Sequence, residues 1–169
     1  MKRLILTLAL MLGLATVASA QNYAVVNSEK IFKSIEAYNA ALTELDRMAN
    51  EYQKQVDEKF DAVEATYNAY MKRRSQLSAA SQQANEENIL KKEQEATKFQ
   101  ESIFGTDGAL MKKRLELIQP IQQKVFATIE EYAKQKGYDM IIDVAQNATM
   151  LYYSPKADHT EAIITLLKK

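Results

Sequence analysis

From Ile31 onward, apolar residues fall at Ile31, Ile35, Tyr38, Leu42, Leu45, Ala49, Tyr52, Val56, Phe60, Val63, Tyr67 and Tyr70. The steps alternate between four and three, and only the one from Val56 to Phe60 breaks the alternation. A 3.5-residue repeat lays one stripe along a single helical face, and that stripe must be buried against a partner helix. The pattern predicts a helix from about Ser28 to Leu77, roughly 75 Å long at 1.5 Å per residue, too long to pack inside a compact domain. The run Ser78 to Asn85 loses the repeat, is rich in small polar residues, and is predicted as the point of reversal. A second helix is predicted from about Glu86 to Lys136, with Met111, Leu115, Ile118, Ile121, Val125, Ile129 and Tyr132 as its stripe and Gly137 as its C-terminal stop. Few apolar positions lie between Gln82 and Gln100, which predicts thin packing there. Gly105 and Gly108 each cost about 1 kcal/mol in a helix interior and predict a bend or local fraying. Pro120 cannot donate to the Glu116 carbonyl and predicts a kink.

The flanks change period. Tyr23 to Asn27 (YAVVN), Tyr138 to Val144 (YDMIIDV) and Thr149 to Tyr153 (TMLYY) are short β-type runs, and Gln146-Asn147 between the last two is a predicted hairpin turn. Asp158 followed by Glu161 resembles a capping box that opens a short helix through Leu167, with Ala162, Ile163, Leu166 and Leu167 facing a sheet. The expected architecture is mainly α with a small β base: a long antiparallel coiled-coil hairpin over residues 31–136, its tip near 78–85, and a small α/β body from 21–30 and 137–169. Three strands and one short helix bury little apolar area, so the body is expected to be stable only in a homo-oligomer.

The extreme N-terminus has its own pattern. Lys2 and Arg3 precede an uncharged apolar run from Leu4 to Val17 and then Ala18-Ser19-Ala20, the form of a cleavable signal peptide over residues 1–20. This places the mature chain in the periplasm. There is no cysteine to form disulfides there, so stability has to come from packing or assembly. Without Lys2 and Arg3 the chain carries 20 basic and 22 acidic residues, which leaves no electrostatic footprint for nucleic acid. Four Gly, two Pro and no Trp, with long stretches of Ala, Glu, Lys, Gln and Leu, suit long helices better than an ordinary globule.

Taken in order, Tyr23 to Phe32, Leu117 to Val125 (LIQPIQQKV), Gly137 to Asp143 with Tyr152-Tyr153, and Ala157 to Ile163 (ADHTEAI) make the chain resemble the Skp/OmpH-like periplasmic chaperones. The resemblance covers essentially the whole mature chain. It implies a jellyfish-like trimer in which a β-containing base carries helical arms that hold unfolded outer-membrane β-barrel proteins without ATP, enzymatic activity or any cofactor. On that reading Val25, Val26, Ile141, Ile142, Val144, Met150 and Tyr152 build the base. Tyr52, Phe60, Tyr67, Tyr70, Phe99, Ile103 and Phe104 are the candidate client contacts on the arms. One departure from the family is charge: residues 51–116 carry 11 basic and 12 acidic side chains, so contact with lipopolysaccharide or anionic membranes has little electrostatic support.

Each of these features has a plainer role available. Aromatic residues at heptad spacing serve seam packing more often than client contact. Lys72-Arg73-Arg74 reads best as a solvated helix face, His159 as a surface residue, and Asp139 and Asp143 as solubilising groups on one face of a strand. With one His and no Cys, the common zinc sites and a catalytic triad lack their parts, and there is no phosphate-binding Gly loop. A structural coiled-coil protein of the envelope with one fixed partner remains the alternative to a chaperone.

Overall fold

The computed structural model describes residues 22–145 and 149–168. The expected signal peptide and the expected turn at Gln146-Asn147 lie outside them. In chain order the elements are β1 (Tyr23–Val26), α1 (Ser28–Lys33), α2 (Glu36–Arg73), a 3-10 turn (Arg74–Gln76), α3 (Ala79–Phe104), α4 (Ala109–Lys136), β2 (Met140–Asp143), a second 3-10 turn (Pro155–Ala157) and α5 (Thr160–Leu167). They fall into two compact units, one of Phe32–Phe126 and one of the described residues before and after it.

The helical unit is an antiparallel hairpin. α2 holds 38 residues, about 57 Å at the usual rise. Three cross-hairpin contacts give the register of α2 against α3: the Tyr70 hydroxyl donates to Glu86 at 2.5 Å, the Lys92 ammonium donates to Thr66 Oγ1 at 3.1 Å, and the Lys59 ammonium stands 4.9 Å from the Phe99 ring centroid. The seam buries Val56, Tyr70, Ala96 and Ile103, while Ala41 and Leu45 of α2 pack on Ile118 of α4 with Tyr38, Leu110 and Leu117 around them.

Three boundaries differ from the expected hairpin, each for a local reason. The predicted first helix is two, because Ile35 is extended and the Asn39 side chain donates to the carbonyl of Lys33 at 2.8 Å, closing a turn over Ser34. The reversal comes earlier than 78–85, at Arg74 to Ser78. Ser78 is an N-cap whose Oγ accepts from the Ser81 amide at 3.2 Å, and Gln82 Nε2 donates back to the carbonyls of Arg74 (3.0 Å) and Leu77 (3.1 Å). The small polar run after Ser78 is therefore the first turn of α3, with its loose ends satisfied by side chains. The predicted bend at Gly105–Gly108 is a full break between α3 and α4. Helix assignment continues through Pro120 without interruption.

In the other unit β1 and β2 form a two-stranded parallel sheet with Tyr23 opposite Met140 and Val26 opposite Asp143. Val25 makes an isolated parallel bridge to Asp158 on the other side. Ala24, Val25, Val26, Ile31, Tyr132, Ile163 and Ile164 are its core. The expected third strand is absent: Thr149 to Tyr153 is irregular, since an extended run forms a strand only when a neighbouring edge pairs with it, and among the described residues none does. α5 buries Ile163 and Ile164, whereas Leu166, expected in the core, is exposed.

Candidate functional site

The loop groups that look chemical in sequence are caps and ties. Asn27 Oδ1 accepts from the Lys30 amide at 2.9 Å and caps α1. Asp143, at the end of β2, reaches the same helix start: it accepts from the Ser28 amide (3.0 Å), the Ser28 hydroxyl (2.5 Å) and the Ala145 amide (3.0 Å). Burial pushes its carboxyl up, but these donors win and hold it below the usual range. Asp139 accepts from the Asn22 amide at 3.1 Å, while its own amide donates to the Asn22 carbonyl at 2.8 Å. Both aspartates therefore have structural partners and are more than solubilising groups. The capping box also takes another form. Asp158 Oδ1 accepts from the amide (3.0 Å) and hydroxyl (2.6 Å) of Thr160, whose Oγ1 in turn accepts from the Asn27 amide at 2.9 Å. Burial again raises the Asp158 carboxyl, and the Thr160 donors together with the charges of Lys30 and His159 outweigh it.

His159 is not a free surface residue. Its Nδ1 lies 2.7 Å from the Tyr132 hydroxyl and its Nε2 2.8 Å from the Tyr138 hydroxyl, and its amide donates to the Val25 carbonyl at 2.9 Å. One residue at the start of α5 thus ties the end of α4 and the approach to β2 through its ring, and strand β1 through its amide. Sequence reasoning missed it because the two tyrosines meet the histidine only after the chain has turned at Gly137, whose φ is +70°.

Two surface cavities stand open, one in each unit, the first mainly apolar and the second mixed. In the sheet unit a cavity of about 470 Å³ is lined by Asn22, Tyr23, Val25, Asp139, Met140, Ile142, Met150, Tyr152 and Tyr153. Of the residues expected in the base, Val25 and Val26 are buried, and Ile141, Ile142, Val144 and Met150 are half-buried. Tyr152 is 80% exposed and its neighbour Leu151 95% exposed. At the hairpin tip a groove of about 350 Å³ is lined by Tyr67, Tyr70, Met71, Arg74, Glu86, Ile89, Leu90 and Glu93. The Tyr70 hydroxyl, bonded to Glu86 and accepting from Arg74 Nε at 3.2 Å, is pushed up by the Glu86 bond first and by burial second.

The expected client contacts separate by exposure. Tyr67 (48%) and Phe104 are exposed, Tyr52, Phe60 and Phe99 are half-buried, and Tyr70 and Ile103 are buried within the hairpin, where they are unavailable to a partner. The hairpin unit exposes others in their place: Leu42, Met71, Leu90, Met111, Leu115 and Phe126. Met111 and Leu115 read as seam positions in sequence. Ile118, Val125 and Tyr132 of the same stripe are buried, so the departure is confined to the first turns of α4 after the break, where Leu110 and Leu117 pack around Ile118.

Among the described residues no helix is long and apolar enough to cross a membrane, and no group of three or more His, Cys, Asp or Glu side chains is placed to hold a metal ion. Compared with known proteins, the chain is 27% identical over 161 residues to an uncharacterised protein of Aquifex aeolicus strain VF5, covering 95% of this chain and 94% of that one. Among solved structures it is similar to an OmpH-like protein of Caulobacter crescentus CB15, described as a candidate outer membrane chaperone, with a TM-score of 0.65 and 12% identity over 86% of this chain and 83% of that one. At that identity the likeness is one of fold. The family model for outer membrane proteins of the OmpH-like type matches residues 22–167, and the chain therefore belongs to the OmpH-like family.

Proposed function

We propose that this protein is an ATP-independent holding chaperone of the periplasm that retains unfolded outer-membrane β-barrel proteins against its helical hairpins, assembled as a homotrimer through the sheet unit. The observation that carries the reading is the set of apolar side chains left open along the hairpin, among them Tyr67, Leu90, Phe104, Leu115 and Phe126. Isolated exposed apolar residues are ordinary on any surface, but a series of them spread over three helices offers many weak contacts. Such contacts add through effective concentration and do not demand one client sequence. Unfolded barrel strands, which alternate apolar and polar residues, supply matching surface. Family membership and the fold likeness to a candidate outer membrane chaperone support a chaperone role.

Assembly is supported by the sheet unit. Leu151 and Tyr152 stand in solvent beside a largely apolar cavity, and exposed apolar side chains at such a site suit burial against a second copy. The decisive experiment dilutes a urea-unfolded outer-membrane barrel protein into buffer with the mature protein and no nucleotide, and follows light scattering. Scattering should be suppressed near one trimer per client. Failure at several-fold excess, or protection confined to one stoichiometric partner, would mean a scaffold in place of a chaperone.

A further inference from the structure

We propose that Met71 is a reversible oxidation site through which a peroxide loosens the hairpin's hold on unfolded chains. The inference rests on the holding function proposed above. The chain contains no cysteine, so its methionines are its only sulfur. Met71, near the end of α2, is 45% exposed, which leaves its thioether open to a soluble oxidant. It also lines two cavities that it shares with Arg74: the tip groove, where the exposed Tyr67 and Leu90 stand among Glu86 and Glu93, and a polar one of about 400 Å³ with Ser75 and Gln82.

The chemistry needs only a hydroperoxide. A lone pair of the thioether sulfur attacks one peroxide oxygen, an S–O bond forms as the O–O bond breaks, and proton transfer releases water. The sulfur loses two electrons and the peroxide gains them. A thiol-dependent reductase returns the sulfoxide to the thioether with loss of water.

The position gives the new oxygen two consequences. First, it places a strong dipole in the groove that Met71 shares with the exposed Tyr67 and Leu90, where a flexible thioether had offered adaptable contact. Second, it sets an acceptor beside Arg74. That guanidinium now donates through Nε to the Tyr70 hydroxyl, with Nη2 3.8 Å from Glu86, and has further N–H donors to offer. Drawing Arg74 toward the sulfoxide weakens the cluster that ties the end of α2 to the start of α3. Met111 and Met140 are also exposed but line neither cavity at the tip, so they report oxidation without this effect.

The test treats the full mature protein with hydrogen peroxide, maps oxidised methionines by peptide mass, and measures affinity for an unfolded outer-membrane barrel protein before and after, in wild type and in Met71→Leu, Met111→Leu and Met140→Leu. Wild type, M111L and M140L should each lose affinity about fivefold on oxidation, and M71L less than about twofold, with reductase treatment restoring the loss. The inference is overturned if Met71 resists oxidation in the folded protein, or if M71L loses affinity as wild type does. An untreated wild type that holds no client would instead overturn the holding function, and this inference with it.

Discussion

Replacing Gly108 by alanine tests why the return helix breaks. A Cβ at Gly108 would sit 2.3 Å from the carbonyl oxygen of Ile103, 2.6 Å from its carbonyl carbon and 2.9 Å from the carbonyl oxygen of Gly105. All three are backbone atoms, so no side chain can swing away, and the turn itself has to move by about 1 Å to restore ordinary contact. Gly108 is buried, and crowding of this kind costs about 1–3 kcal/mol. The lower backbone entropy of alanine in the unfolded chain returns about 0.4–1 kcal/mol. A net loss near ~1.3 kcal/mol lowers the melting temperature of a chain this size by about 3–5 °C. Gly137→Ala is the control for a different mechanism: nothing lies within 4 Å of its Cβ, but its φ of +70° costs a non-glycine residue about 1 kcal/mol. Thermal melts followed by far-UV circular dichroism at fixed protein concentration read both. A G108A protein melting at or above wild type would refute the steric origin of the break and leave helix propensity as its cause.

Other outcomes are equally specific. The carboxyls of Asp143 and Asp158 are held low in the folded state, so their contribution is present above about pH 4, where the unfolded groups ionise, and is lost as pH falls through the lower folded values. Acid titration of Asp143→Asn with Asp158→Asn should therefore show a shallower loss of stability below pH 4 than wild type; an identical slope would contradict the assignment. His159→Leu removes the partner of two tyrosine hydroxyls, one of them on buried Tyr132, and should cost about 1–3 kcal/mol in urea unfolding, with a cost near zero refuting the tie. Leu151→Asp should leave helix content unchanged yet shift sedimentation toward monomer, because in the single chain the side chain touches almost nothing, while burying a leucine in an assembly contributes about 1.5–3 kcal/mol per copy. An unchanged oligomer would remove that run from the interface.

Some of this molecule was legible in its residues and some was not. The alternation of three and four from Ile31 to Tyr70 identifies a long stripe whatever it packs against, because helical periodicity is local. It therefore marks α2 correctly through Leu45, Val56 and Tyr70. The hairpin tip was misplaced by only a few residues, since Ser78 as an N-cap and the small polar residues after it carry a weaker signal than the loss of the stripe. The candidate contacts fared less well. Tyr70 and Ile103 share the aromatic or apolar character of Tyr67 and Phe104, and only the packing of α3 on α2 separates buried from open.

The sequence by itself determined the helical hairpin, its glycine interruption, the presence of two short strands and the family, because each depends on residue type at short spacing. Tertiary structure alone decided which apolar positions are sealed, that β1 and β2 pair in parallel, that Thr149 to Tyr153 is irregular, and that Tyr132, Tyr138 and His159 meet. Those outcomes depend on groups up to more than a hundred residues apart, such as Asn22 and Asp139. A local pattern holds no record of which distant neighbour will occupy a given face, so the exposure of Met111 and Leu115 beside buried Ile118 is visible only once α4 is packed.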